Sequence, residues 1–262
     1  LLQYRMSFML RKEKNGLSWL EFEIFQEFTH LKHATSLRSG GVSSGSFGSL
    51  NMGLDLGDDE KNVTENRTRF IAAINNTNAP TPDVISGLQV HGCHVAYIPE
   101  ALIEAPTADG LMTNLRQKVL FIKHADCQAA LFFDPVENAI AAIHSGWKGS
   151  VQNIYQKTID CMRQTFGSKP ENMLVAISPS LGPDSSQFIN FEKELPQEFL
   201  PFQFKPFYFD FWAISGWQLE TAGILPHHIE IASIDTLTNP QDYFSFRRDK
   251  PTGRHATVIW LI

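Results

Sequence analysis

Residues 119–149, VLFIKHADCQAALFFDPVENAIAAIHSGWKG, constrain the fold more than any other part of this chain. Three apolar runs, 119–122, 129–133 and 139–143, are each too short for a helix and are bounded by turn residues, a pattern that predicts buried strands. Two of them are flanked by groups that a core disfavours. Cys127 follows Ala125-Asp126 just before the second run, and His144 closes the third, directly before Ser145-Gly146-Trp147-Lys148-Gly149. A sheet fixes a side chain at its strand end while the adjoining loop leaves it accessible, so chemistry is expected there.

The rest of the chain reads as support. Residues 20–28 open with alternating apolar and acidic positions and predict a half-buried strand leading to His30 and His33, which are read as surface or packed histidines. Residues 35–57 are crowded with Gly and Ser, yet carry Arg38, Phe47, Leu50, Asn51 and Met52, so they predict an ordered loop. Asp58-Asp59-Glu60 predicts the capped start of a helix with Val63, Phe70, Ile71 and Ile74 on one face, ending near Asn75-Asn76. Residues 84–95 predict a strand broken by a turn, with Gln89, His91 and His94 near the break, and Asp109-Gly110 marks a polar turn. Ser150 is the expected cap of a helix stopped by Gly167, and Lys148 at its glycine-flanked entrance suggests an anion seat. Further strands are expected at 173–177, 229–234 and 256–262, a helix at 211–222, and irregular Phe-rich chain at 192–209. Arg247, Arg248 and Arg254 gather around one turn, which reads either as a solvated basic loop or as an anion clamp.

Apolar residues spread evenly through the 262 positions, so 18–262 is read as a single domain and 1–17, a mix of charged and apolar residues, as an N-terminal arm. A net charge of −6 speaks against a general nucleic-acid binder without excluding an anionic substrate held by a few cations. Three cysteines without a pairing pattern suit a reducing compartment, and no apolar run approaches the roughly 20 residues of a membrane span. A cytoplasmic protein is expected, with a monomer favoured.

His91, Cys127 and His144 each fall at a predicted strand end or turn. One thiolate with two imidazoles suits zinc with an open fourth position, although separations of 36 (127 − 91) and 17 (144 − 127) residues match no local zinc motif. A buried thiol with two hydrogen-bonded histidines, or a nucleophilic Cys127 with His144 as base, fits the same residues. Spacing does not choose among these.

In order along the chain, SLRSGGVSSGSFGSLNMG, GDDEKNVTENR, QVHG, ADGLMTN, ADC, IAAIHSGWKG and YFSFRRDKPTGR resemble the motifs of the laccase-domain family, also called polyphenol oxidase or purine nucleoside phosphorylase proteins. The resemblance implies an α+β fold of mixed β-sheets packed together with flanking helices. It implies one zinc on His91, Cys127 and His144, with copper possible on the same ligands. It also implies phosphorolysis of adenosine, inosine and methylthioadenosine, with adenosine deamination beside it. Phosphorolysis needs cations for phosphate and help for the departing base, and Arg38, Lys148 and Arg247 are the candidates for phosphate, with Asn51 and Gln89 for sugar or base. Zinc hydrolysis of an amide in cell-wall nucleotide-sugar precursors, and copper-dependent polyphenol oxidation, are the alternative activities. Where the family pattern has Pro, Gly, Cys, Cys, Tyr and Cys, this chain has Ala129, Ser178, Asp184, Ser185, Ser186 and Leu237, so substrate preference is the property these departures touch.

Overall fold

The computed structural model describes residues 5–6, 9–75 and 80–262. Its strands form two large sheets. One has the order β1 (Arg5–Met6), β14 (Ile229–Ile231), β11 (Leu174–Ile177), β9 (Gln128–Asp134), β10 (Ala139–Ser145), β7 (Gly110–Thr113), β6 (Val95–Tyr97). The other has the order β2 (Leu10–Lys14), β3 (Leu17–Glu21), β4 (Leu31–Ser36), β15 (His255–Leu261), β8 (Lys118–His124), β5 (Asp83–Ile85). Both are mixed, since β11 with β14 and β5 with β8 are parallel whereas β9 with β10 and β8 with β15 are antiparallel. A hairpin of β12 (Gln203–Lys205) and β13 (Tyr208–Phe209) stands apart.

Alternation along the central strands builds the layers. Ala129, Leu131 and Phe133 of β9 meet Leu120 and Ile122 of β8 and Ile259 and Leu261 of β15 between the sheets. The intervening Ala130 and Phe132 face the other way, onto Ile154, Tyr155, Ile159 and Met162 of α3 (Ile154–Phe166) and Leu219 of α5 (Phe211–Thr221). On the opposite side, Val119 and Phe121 of β8 and Val258 and Trp260 of β15 carry Phe70 and Ile71 of α1 (Glu60–Ile74). The order is helix, sheet, sheet, helix. Sheets covered on both faces explain why β9, β10 and β15 are buried at every position. The molecule is thus an α+β fold of mixed sheets packed together with helices outside.

Several local expectations are corrected. The strand expected over 20–28 stops at Glu21, and the buried Phe22, Ile24 and Phe25 follow it outside the sheet. A short turn of helix follows, whose Glu23 and Ile24 N–H groups donate to the Glu230 carboxylate at 3.1 and 2.6 Å. His33 lies inside β4. Ser150 caps nothing: it is buried within the short α2 (Trp147–Val151), and the cap of α3 is Asn153, in the left-handed region at φ 52°, whose side chain accepts the Gln156 N–H. The stretch 192–209 takes in the end of α4 (Phe191–Glu194) and the β12–β13 hairpin. Within the expected arm, β2 is an edge strand paired antiparallel with β3. By contrast α1 starts after the Asp59 cap and ends at Asn75, and Asn76 lies outside the described residues.

Candidate metal centre

β9 and β10 pair Gln128 with Ser145 and Ala129 with His144. The residue entering one strand and the last residues of the other therefore meet at one end of the sheet, and Cys127 and His144 stand there together. His91 reaches them from the loop between β5 and β6, with φ 60° in the left-handed region that a side chain disfavours by about 1–2 kcal/mol. Asp109 holds it there. Its fully buried carboxylate accepts the N–H groups of Val90, His91 and Gly92 at 3.1, 3.0 and 2.7 Å, and lies 2.8 Å from His144 Nδ1. One carboxylate thus sets two of the three candidate ligands. With Nδ1 donating to Asp109, the Nε2 lone pair of His144 is the one left for a cation.

The donor atoms of His91, Cys127 and His144 all lie within 4.8 Å of one another. Space for them depends on Gly146: a Cβ there would stand 3.0 Å from His91 Cδ2 and 3.2 Å from Cys127 Sγ. Burial opposes the Cys127 thiolate, but the neighbouring His144 and His91 outweigh it and bring the thiol down to about 6. Burial likewise opposes charge on His144, and the Cys127 thiolate with Asp109 overcomes it, raising the imidazole to about 9. A thiolate ready at neutral pH, the His91 imidazole, a His144 ring that gives up its Nε2 proton to an incoming metal, and an outer carboxylate make up a donor set that fits a borderline-soft divalent ion.

Two cavities share His91, Cys127, Ala125 and Phe246 as lining, so these residues stand between them. The first, of about 480 Å³, has Trp147, Phe188 and Phe211 in its walls with Gln128, Ser180 and Ser186, and Arg247 and Lys250 at its lining. The second, of about 270 Å³, is lined by His144, Gln89, Lys123, His124 and Arg254. Asp126, at φ 83°, ties the first cavity together, its carboxylate accepting the Thr236 hydroxyl at 2.8 Å and the Arg247 N–H at 2.6 Å.

The expected site residues separate. Gln89 lines the second cavity, its side chain clamped on the Lys123 backbone at 2.7 and 2.9 Å, and Arg247 lines the first. Arg38, Asn51 and Lys148 line neither. Arg38 donates to the Gly48 and Pro240 carbonyls and its guanidinium sits 4.9 Å from the Phe244 ring centroid. Asn51 is fully buried and spends its amide on Gly53, Asp58 and Arg254. Lys148 lies exposed beside Trp147, and the five residues of α2 make too short a helix for an anion seat. Sequence reasoning passed over Asp109 and Asp126. Each directly precedes a buried element or ligand, an acidic residue where burial demands a partner, and that was the available signal.

A sequence model of the family described as multi-copper polyphenol oxidoreductase laccase matches residues 32–262. The chain is 32% identical over 236 residues to purine nucleoside phosphorylase YfiH of Shigella flexneri, covering 87% of this chain and 93% of that protein. It is 31% identical, with the same coverage, to purine nucleoside phosphorylase YfiH of Escherichia coli K12. Among solved structures it resembles YlmD from Geobacillus stearothermophilus, with a TM-score of 0.85, 27% identity, and coverage of 97% of this chain and 99% of that one. The fold is also that of a Bacillus licheniformis protein, YfiH, at a TM-score of 0.83, 24% identity, and coverage of 96% and 99%.

Proposed function

The chain belongs to the multi-copper polyphenol oxidoreductase laccase family, and from that premise we propose that it is a zinc-dependent purine nucleoside phosphorylase acting on adenosine, inosine and methylthioadenosine, with adenosine deaminase activity besides. The observation that carries this reading is a His-Cys-His group whose His91 and Cys127 line an aromatic-walled cavity of about 480 Å³, a size that suits a nucleoside. The names borne by the relatives give the reaction class.

His91, Cys127 and His144 would hold the ion, which when bound supplies a Lewis acid to ease departure of the base. The rest of the work belongs to side chains. Trp147, Phe188, Phe211 and Phe246 offer flat faces for a purine, and Ser180, Ser186 and Gln128 offer polar contacts at its edges. Arg247 reaches the same space with its backbone pinned to Asp126. Asp109 keeps the His144 tautomer fixed through the cycle. Among the described residues, one group of three or more His, Cys, Asp or Glu side chains is placed to hold an ion, whereas a multicopper oxidase needs several. The three cysteines form no disulfide, which suits a reducing cytoplasm. No helix among the described residues is long and apolar enough to cross a membrane.

Chromatography of adenosine incubated with the zinc-loaded protein, with and without phosphate and beside Cys127→Ala, tests the reading. Adenine that requires phosphate and disappears in the variant is the expected product, with a smaller inosine peak from deamination. Inosine alone would make the protein a deaminase. No product with zinc bound would refute nucleoside chemistry and turn attention to amide substrates of the cell-wall precursor type.

A further inference from the structure

The second cavity holds two cations that form no ion pair with a carboxylate among the described residues. Lys123 and Arg254 both line it, together with the candidate metal ligands His91, Cys127 and His144. Lys123 Nζ donates to the Gly87 carbonyl at 3.1 Å, which leaves two of its three hydrogens uncommitted. Arg254 donates through Nη1 to the Thr252 and Gly253 carbonyls, and its Nε and Nη2 donate to no protein acceptor among the described residues. Arg67, itself anchored on the Met52 carbonyl at 2.7–3.0 Å, adds a third positive charge close enough to act on Lys123.

Both lining cations are half-buried, Asp55 acts on Lys123 and Asp126 on Arg254 only from beyond ion-pair contact, and a cation withdrawn from water without a contacting counter-charge is a cost that a fold normally relieves. Burial and the nearby Arg67, opposed by Asp55, hold Lys123 down to about 8, and burial, opposed by Cys127 and Asp126, lowers Arg254. Gly53 makes the seat possible, because a Cβ there would stand 2.9 Å from Arg254 Cγ. Arg247 and Lys250, in the first cavity, are exposed, and solvent can satisfy them.

We propose that the second cavity is the phosphate seat of this enzyme, with the anion held between Lys123 Nζ and the Arg254 guanidinium, while the nucleoside occupies the first cavity. The assignment rests on the phosphorylase reading above. It moves the phosphate away from Arg38, Lys148 and Arg247 to residues on the other side of His91 and Cys127. Two cations match the two charges of hydrogenphosphate, and a volume of about 270 Å³ admits the anion with water. The reaction then balances across the shared wall. A phosphate oxygen forms a bond to the anomeric carbon of ribose, the bond from that carbon to the purine nitrogen breaks on the side of the first cavity, and the hydrogenphosphate proton ends on the released base. Displacement with attacking and leaving groups on opposite sides is what two cavities meeting at one wall provide.

The test uses the zinc-loaded full chain, with inorganic phosphate as the probe, and compares Lys123→Met, Arg254→Met and Arg247→Met. Each of the first two is expected to raise the phosphate KM roughly 10–100-fold, the loss of one charge-assisted contact, with the nucleoside KM within about 2-fold. Arg247→Met raises the nucleoside KM instead. Independently of turnover, phosphate raises the melting temperature of the unmutated protein, and this rise is lost in both Lys123→Met and Arg254→Met; melting without phosphate shows that the variants fold. A phosphate KM that moves only in Arg247→Met, or a phosphate-induced rise that survives in both cavity variants, overturns the assignment. If the unmutated protein cleaves no nucleoside, the phosphorylase reading fails, and the melting comparison still decides whether this cavity binds the anion.

Discussion

Replacing Asp109 by Asn keeps the side chain's size but removes the charge that three backbone N–H groups and His144 Nδ1 share. Zinc affinity is expected to fall about 10–100-fold, measured by competition with a chromogenic chelator, because outer partners of metal-binding histidines contribute that much. An unchanged affinity would show that His91 and His144 hold their places without it. Gly146→Ala acts from the other side: its Cβ would press on His91 and Cys127, so zinc content by elemental analysis should drop while the far-ultraviolet dichroism stays intact. Full occupancy in that variant would contradict the packing described. These residues were unequally legible in the sequence. Cys127 and His144 stood out because a strand end followed by glycine is a marked position, and Arg254 was visible within a basic turn. Asp109 gave only the weak signal of an acidic residue before a buried element, and Lys123 gave none, because their roles arise from contacts with residues 35 and 36 positions away, His144 with Asp109 and Gly87 with Lys123.

At the scale of elements, β4 and β15 carry buried neutral histidines, His33 within the first and His255 at the start of the second. His33 Nε2 accepts the Phe22 N–H at 2.8 Å, and His255 Nε2 accepts the Phe244 N–H at 2.7 Å while Nδ1 faces the Ser36 carbonyl. Burial lowers His33 to about 4 and His255 to about 3. The unfolded chain takes up these protons below about 6.5 and the folded chain does not, so stability should fall as pH drops from 6.5 toward 3–4 and be unaffected by these groups above 6.5. Urea midpoints across that range check the slope, and His255→Gln, which retains an acceptor, should make it shallower; an identical slope would mean that other groups govern acid unfolding. Elements with a local signature were readable in the sequence. The apolar runs became β8, β9 and β10, and Asp59 caps α1 with a bond to the Lys61 N–H at 2.8 Å. Elements fixed by distant contacts were not: the turn after β3 exists because Glu230 binds its N–H groups, and the break before α3 depends on Asn153 adopting a left-handed conformation.

For the whole molecule, the shared core between the sheets makes one cooperative unit the expectation. Phe133 is fully buried there, edge-on to Phe25, Phe28 and His30. Phe133→Ala should cost about 3–5 kcal/mol and lower a single thermal transition without splitting it, as scanning calorimetry would record. Two separated transitions would mean that the sheets unfold independently. The same core carries the strand ends that bring Cys127 and His144 together, so the chemistry rests on the layering as a whole. The most direct test of that chemistry is phosphorus NMR of inosine and inorganic phosphate incubated with the zinc-loaded protein. The account predicts that the phosphate resonance declines as one for ribose 1-phosphate grows, in equal amounts with free hypoxanthine, and that neither change occurs with Cys127→Ala. Hypoxanthine released while the phosphate resonance stays constant, or inosine left intact with zinc bound, would contradict it.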